Sequence, residues 1–178
     1  MLHTYNDSMT DDRTANLLGA LALALTDRLI EETETRAKHG AAAPAALVSI
    51  GMAPGEPIDR LARTLALSHS ATVRLIDRLA ADGLVARRSL PDGRAVGLHL
   101  TRSGATRRKA ILEGRRQVLG EALAPLSAKQ QDSLTALVET LLGRMTAGRQ
   151  SADHICRLCD EDACPQESCP VECAVSSE

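Results

Sequence analysis

Residues 57–83, PIDRLARTLALSHSATVRLIDRLAADG, leave few folds open. Pro57 suits the first turn of a helix, where its missing N–H would have had no partner. Ile58, Leu61, Ala62 and Leu65 then share one apolar face. Ser68 is a good N-cap for a second helix, His69–Asp82, which Gly83 ends. Thr72, Leu75, Ile76 and Leu79 recur at i, i+3, i+4 and i+7, so that side is buried. The other side presents His69, Ser70, Val73, Arg74 and Asp77. Two short amphipathic helices joined by so tight a turn predict a helix-turn-helix.

The next stretch, LVARRSLPDGRAVGLHLTRSG, has strand character at Leu84–Arg88 and Ala95–Thr101. LPDGR between them supplies turn residues, so a hairpin wing follows the second helix. Upstream, a long helix is expected over Thr14–Lys38, its leucines at 17, 21, 25 and 29 on one face, ending at Gly40. Ala41–Met52 forms a short helix, closed by APGEP. Downstream, Ser103–Leu123 and Ser127–Met145 are helices parted at Pro125. The chain has no Trp, no Phe and only Tyr5. Its core must be built from Leu, Ala, Val and Ile, which favours helix-on-helix packing. The expected class is mainly α with a small β wing.

Net charge is −2 over 178 residues, but it is unevenly spread. From Arg149 on there are two Arg against three Asp and four Glu, whereas Pro57–Arg108 holds ten Arg against four Asp. A recognition helix offers its N-terminal side chains to base edges in the major groove. On that basis Ser70 can donate or accept, Val73 can touch a thymine methyl, and Arg74 can reach guanine or phosphate, with His69 and Arg78 alongside. Arg94 sits at the wing tip, where a narrow minor groove attracts guanidinium, and Asp92 steadies it. Arg87, Arg88 and Arg102 flank the backbone as phosphate contacts.

These residues carry a resemblance. Asp92-Gly93-Arg94, then Leu100-Thr101 and Gly104, are similar to the D-x-R…L-T-x-x-G wing pattern of the MarR family of winged helix-turn-helix regulators. LSHSATVRLIDRLAADGLVARR resembles that family's recognition helix and its entry to the wing. The likeness spans about Thr14 to Arg149. Residues 1–12 are expected to be a flexible lead-in, and the resemblance implies a winged-helix body over 13–148, with a DNA-binding part at 57–104. Dimerisation helices are implied at 13–38 and 103–148. It further implies an obligate homodimer on a pseudo-palindromic operator in double-stranded DNA, commonly a repressor released by a small molecule, oxidant or metal. The scarcity of aromatics departs from the family, and so does the tail.

That tail, 149–178, is acidic and holds all five cysteines within 18 residues. Their spacing in HICRLCDEDACPQESCPVEC is C-x2-C-x4-C-x4-C-x3-C. Thiolates are soft ligands that select zinc, Cu(I) or iron–sulfur clusters. Cys156, Cys159, Cys164 and Cys169 are the expected ligands, with Cys173 and His154 in reserve. The cofactor expected is an iron–sulfur cluster or zinc, a choice that spacing leaves open. A metal-free thiol/disulfide redox switch is the rival reading. Incidental cysteines on a disordered acidic tail, or structural disulfides, fit less well. Because the tail follows the last dimerisation helix, its folding around a metal is expected to act on the ends of that helix.

Ala15–Thr26 is apolar like a signal-peptide core, but its flank is acidic and it runs on into a charged helix. No stretch reaches the roughly 20 apolar residues of a membrane span. The expected location is the cytoplasm, with no membrane partner. His39, His69 and His99 are scattered and expected to be solvated or packed, His99 facing solvent from the second wing strand. No phosphate loop or catalytic constellation is present, so no enzymatic activity is expected. A winged-helix module that binds protein through its acidic tail is the remaining alternative.

Overall fold

The computed structural model describes residues 12–89 and 96–176. In order they form α1 (Asp12–Ala37), α2 (Ala43–Met52), α3 (Ile58–Leu65), α4 (His69–Ala81), β1 (Val85–Ser89), β2 (Val96–Leu100), α5 (Arg102–Leu123), α6 (Ala128–Met145), α7 (Arg149–Ile155), a 3-10 turn (Gln166–Ser168) and α8 (Pro170–Ser176). The architecture is a helical body with a two-stranded antiparallel wing, as the sequence predicts.

One core serves the body. Ala43, Ala45, Ala46, Leu47, Val48 and Ile50 of α2 are all buried, so this helix is covered on nearly every side. Around it stand Leu61 and Leu65 of α3, Leu75, Ile76 and Leu79 of α4, and Ile111 and Leu112 of α5. Alanines let the neighbouring helices approach closely, and each fully buried Leu or Ile contributes roughly 1.5–3 kcal/mol. Aliphatic side chains alone therefore fill this core.

β1 and β2 pair in register from Val85↔Leu100 to Ser89↔Val96. APGEP does more than break a helix: Gly55 N–H donates to Leu98 O at 2.8 Å and Leu98 N–H to Glu56 O at 3.0 Å. Pro57 also bridges to Gly97. This extra edge buries Gly97 and leaves His99 half-buried, near enough that a Cβ on Gly55 would meet its ring at 3.6 Å. The expectation of a solvent-facing His99 assumed simple alternation, which the added edge overrides.

α5 begins one residue earlier than expected because Thr101 is its N-cap. The Thr101 hydroxyl accepts from Gly104 N–H at 3.0 Å and donates to Gly83 O at 2.6 Å. Gly104 is required sterically, since a Cβ there would lie 2.0 Å from the Leu84 carbonyl oxygen. Arg107, one turn further on, donates to Arg36 O at 2.7 Å and so caps the C-terminus of α1.

Residues 149–176 fold back as a small helical unit. Ala152, Cys169 and Val171 are its buried centre, with Leu142, Ile155, Cys156 and Val175 packed around them. Leu158 packs against the main core. Among the described residues no helix is long and apolar enough to cross a membrane.

Candidate nucleic-acid interface and thiol site

α4 is held by its first turn and its inner face. Ser68 Oγ accepts from Ala71 N–H at 3.2 Å, and the buried Thr72 hydroxyl donates to Ser68 O at 3.0 Å. The turn before it places Ala66 at φ 53, in the left-handed region. Thr72, Leu75, Ile76 and Leu79 are buried as predicted. His69, Ser70, Arg74, Asp77 and Arg78 consequently face out and are exposed, while Val73 is half-buried.

The expected contacts differ in how occupied they already are. Among the described residues Arg74, Arg78 and Arg88 make no ion pair within the chain. Arg87 donates to Asp77 at 2.7 Å, which ties the first wing strand to the middle of α4. His69 Nδ1 stands 2.6 Å from Asp59 Oδ1, joining the start of α4 to α3. Arg102 is exposed at the start of α5. Asp92 and Arg94 lie outside the described residues.

Two helices leave large apolar side chains uncovered. Leu17, Leu18, Leu21 and Leu23 on α1 are 50–69% exposed, and Leu137, Val138, Leu141 and Met145 on α6 are 40–68% exposed. Residues of this kind, contiguous along a helix, mark an interaction surface.

The thiols gather in the C-terminal unit. Cys156 ends α7, its N–H donating to Ala152 O at 2.9 Å, and Cys159 N–H donates back to Cys156 O at 2.8 Å. That tight turn sets Cys156 and Cys159 on the same wall of one cavity. Cys169 follows the 3-10 turn and is buried, facing the same cavity as Cys164. All four line one cavity of about 40 Å³, with Met52, Glu161, Gln166 and Glu172. None of the five cysteines is in a disulfide. His154 and Cys173 do not line the cavity; His154 Nδ1 bonds to Thr64 O and the Cys173 thiol approaches Glu167 O at 3.7 Å.

Cys156 and Cys159 share their proton unequally. The hydrogen bond from Cys156, aided by the charges of Arg115 and Arg157, lowers the Cys159 thiol to about 6, while the same contact and burial push Cys156 up. Desolvation and the Cys169 thiol raise Cys164 to about 11. Among the described residues no three His, Cys, Asp or Glu side chains converge to hold one metal ion.

The cysteine unit is fastened to the helix-turn-helix. Besides His154 to Thr64, Asp153 of α7 faces Arg60 of α3 at 3.7 Å. Arg149 grips both carboxylate oxygens of Glu172 at 2.9 and 2.8 Å, joining α7 to α8. The unit packs on the end of α6 through Leu142, where adjacency in sequence pointed, and its contacts with α3 come in addition. The apolar spacing Ala152, Ile155, Leu158 was the available signal for this docking.

Residues 41–95 match the sequence model of the MarR family. Among solved structures, the chain is similar to a MarR family protein from Bacillus stearothermophilus, at 23% identity and TM-score 0.68 over 75% of this chain and 94% of that one. It is also similar to the reduced form of MarR from E. coli, at 29% identity and TM-score 0.59 over 70% and 96%. A probable transcriptional regulator from Pseudomonas aeruginosa matches at 28% identity and TM-score 0.52 over 69% and 95%. No curated protein matches the chain.

Proposed function

We propose, from the premise that this chain carries a winged helix of the MarR family, that it acts as a homodimeric transcription regulator binding a pseudo-palindromic operator, as a repressor. The observation carrying this reading is α4: a helix buried on one side whose other side offers Ser70, Val73, Arg74 and Arg78, with both arginines unpaired within the described residues. Arg88 extends the basic strip onto the wing, and Arg94 extends it further in sequence. Guanidinium groups so placed grip phosphates and read guanine edges. The uncovered leucines of α1 and α6 fit a second copy of the chain, which would set two recognition helices about one DNA turn apart.

The cysteine unit, in this reading, binds a metal or an iron–sulfur cluster and reports metal or redox state to the helix-turn-helix. Support comes from four thiols around one cavity and from the contacts of α7 with α3. A metal-free disulfide switch is a second reading, favoured by Cys156 and Cys159 standing on one tight turn and by the lowered Cys159 thiol.

The test begins with duplexes selected from a random pool. Binding by fluorescence anisotropy across a salt series should give a steep, sequence-dependent decline in affinity. A protein that enriches no sequence and binds all duplexes alike is not such a regulator. Comparing as-isolated, chelator-treated and oxidised protein on the selected duplex then separates metal from disulfide control.

A further inference from the structure

We infer that Asp59 fixes the tautomer of His69, and that His69 so fixed reads the amino group of adenine or cytosine in the major groove. This rests on the regulator reading above and adds to it a residue that chooses sequence.

His69 is the first residue of α4, and Asp59 lies in the first turn of α3. Their side chains meet across the helix-turn-helix, His69 Nδ1 standing 2.6 Å from Asp59 Oδ1. A carboxylate can only accept, so Nδ1 carries the proton. In the neutral ring Nε2 is then left with a lone pair and no proton. Among the described residues Asp59 forms no other ion pair and Nε2 has no partner. The side chain of His69 is 61% exposed, so its bare nitrogen is open to a partner from outside.

That nitrogen is selective because of what it cannot do. Phosphate oxygens are acceptors, and an unprotonated nitrogen has nothing to donate to them. At the base edges of the major groove the donors are adenine N6 and cytosine N4, whereas guanine and thymine carry none there. The neighbouring side chains do not make the same choice. The Ser70 hydroxyl, 3.3 Å from Ser68 Oγ, can turn either to donate or to accept. Arg74, exposed on the same face, only donates and therefore suits guanine. His69 and Arg74 thus offer opposite hydrogen-bonding characters along one side of α4. An imidazole released from Asp59 returns its proton mainly to Nε2, and the selection for an amino group goes with it.

The experiment has an arm without DNA and an arm with it, both on the full chain in mildly alkaline buffer. Long-range proton–nitrogen correlation spectra of the isotope-labelled chain, with the His69 signal identified by its loss in His69→Ala, should show a neutral ring protonated at Nδ1. Asp59→Asn keeps an accepting oxygen and should retain that form, whereas Asp59→Ala should move the proton to Nε2. A parent ring protonated at Nε2, or indistinguishable from that of Asp59→Ala, overturns the inference. Duplexes that the parent selects from a random pool should carry adenine or cytosine at one position of each half-site. Asp59→Ala and His69→Ala should bind the selected duplex roughly two- to tenfold more weakly, the worth of one hydrogen bond. Both should lose the preference at that position, and Asp59→Asn should keep it. An even loss across all duplexes with the preference intact would reduce the pair to a brace between α3 and α4 and overturn the base contact. A parent chain that enriches no sequence overturns the regulator reading and the base contact together, while the spectra still decide the tautomer.

Discussion

His154 donates from Nδ1 to the carbonyl oxygen of Thr64 at 2.8 Å, because a carbonyl can only accept. Ninety residues apart in sequence, these two join α7 to the first helix of the helix-turn-helix. Such a hydrogen bond contributes about 0.5–1.5 kcal/mol. His154→Ala should therefore raise hydrogen exchange of the 149–176 segment by about three- to tenfold. It should also weaken any effect of the cysteine unit on DNA affinity. Unchanged exchange would mean that Leu158, the Arg60–Asp153 pair and the packing on Leu142 of α6 hold the unit down without it.

Arg74→Ala and Arg78→Ala each remove an exposed cation from the outer face of α4. If Arg74 reads a base, its loss costs about 1–3 kcal/mol and relaxes sequence preference at one position. A phosphate contact instead lowers affinity evenly and reduces the salt slope by about one. Arg94→Ala should behave in the second way. Isotherms over a salt series that match wild type for all three would remove the DNA-binding role from this face.

Much of this face was legible beforehand, and for a local reason. The 3.6-residue period of Thr72, Leu75, Ile76 and Leu79 sets which side of α4 is buried, and the Ser68 cap sets where it starts. What escaped was non-local. Gly55 and Glu56 pair with Leu98, Asp77 holds Arg87, and α7 docks on α3. Each joins segments whose own residue patterns do not name the other. The four thiols were identified by type and spacing, but their meeting around one cavity depends on turns that spacing alone leaves undetermined.

Ala66 occupies the left-handed region at φ 53 in the turn between α3 and α4. A residue with a Cβ costs about 1–2 kcal/mol there, and glycine gives back about 0.5–1 kcal/mol in backbone entropy. Ala66→Gly should stabilise the protein by about 0.5–1 kcal/mol, a rise in Tm of a few degrees. Gly104→Ala is its opposite: the new Cβ would meet the Leu84 carbonyl oxygen at 2.0 Å. A loss of about 3 kcal/mol or more is expected. Thermal denaturation of both variants checks the pair.

Leu21 is 51% and Leu141 47% exposed, on α1 and α6. If a second copy covers them, Leu21→Glu with Leu141→Glu buries two unpaired carboxylates on association. Sedimentation should then show a dimer for the parent chain and a folded monomer for the double variant. A parent that sediments as a monomer at micromolar concentration contradicts the twofold arrangement outright.

The Glu172 carboxyl is held below its ordinary value, first by its hydrogen bonds from Arg149 and then by that cation's charge. Its stabilising contribution is therefore complete above about pH 4.5, the ordinary carboxylate value, and is lost as pH falls through the lowered one. The pair is partly exposed, so roughly 0.2–1 kcal/mol is at stake. In metal-free protein, where thiol ligation cannot intervene, Glu172→Gln should melt earlier than the parent at pH 7. The gap should close as pH falls through the lowered carboxyl value, where Glu172 becomes as neutral as Gln. A gap that persists in acid would show that Gln disrupts the packing of α8 on α7 rather than an ion pair.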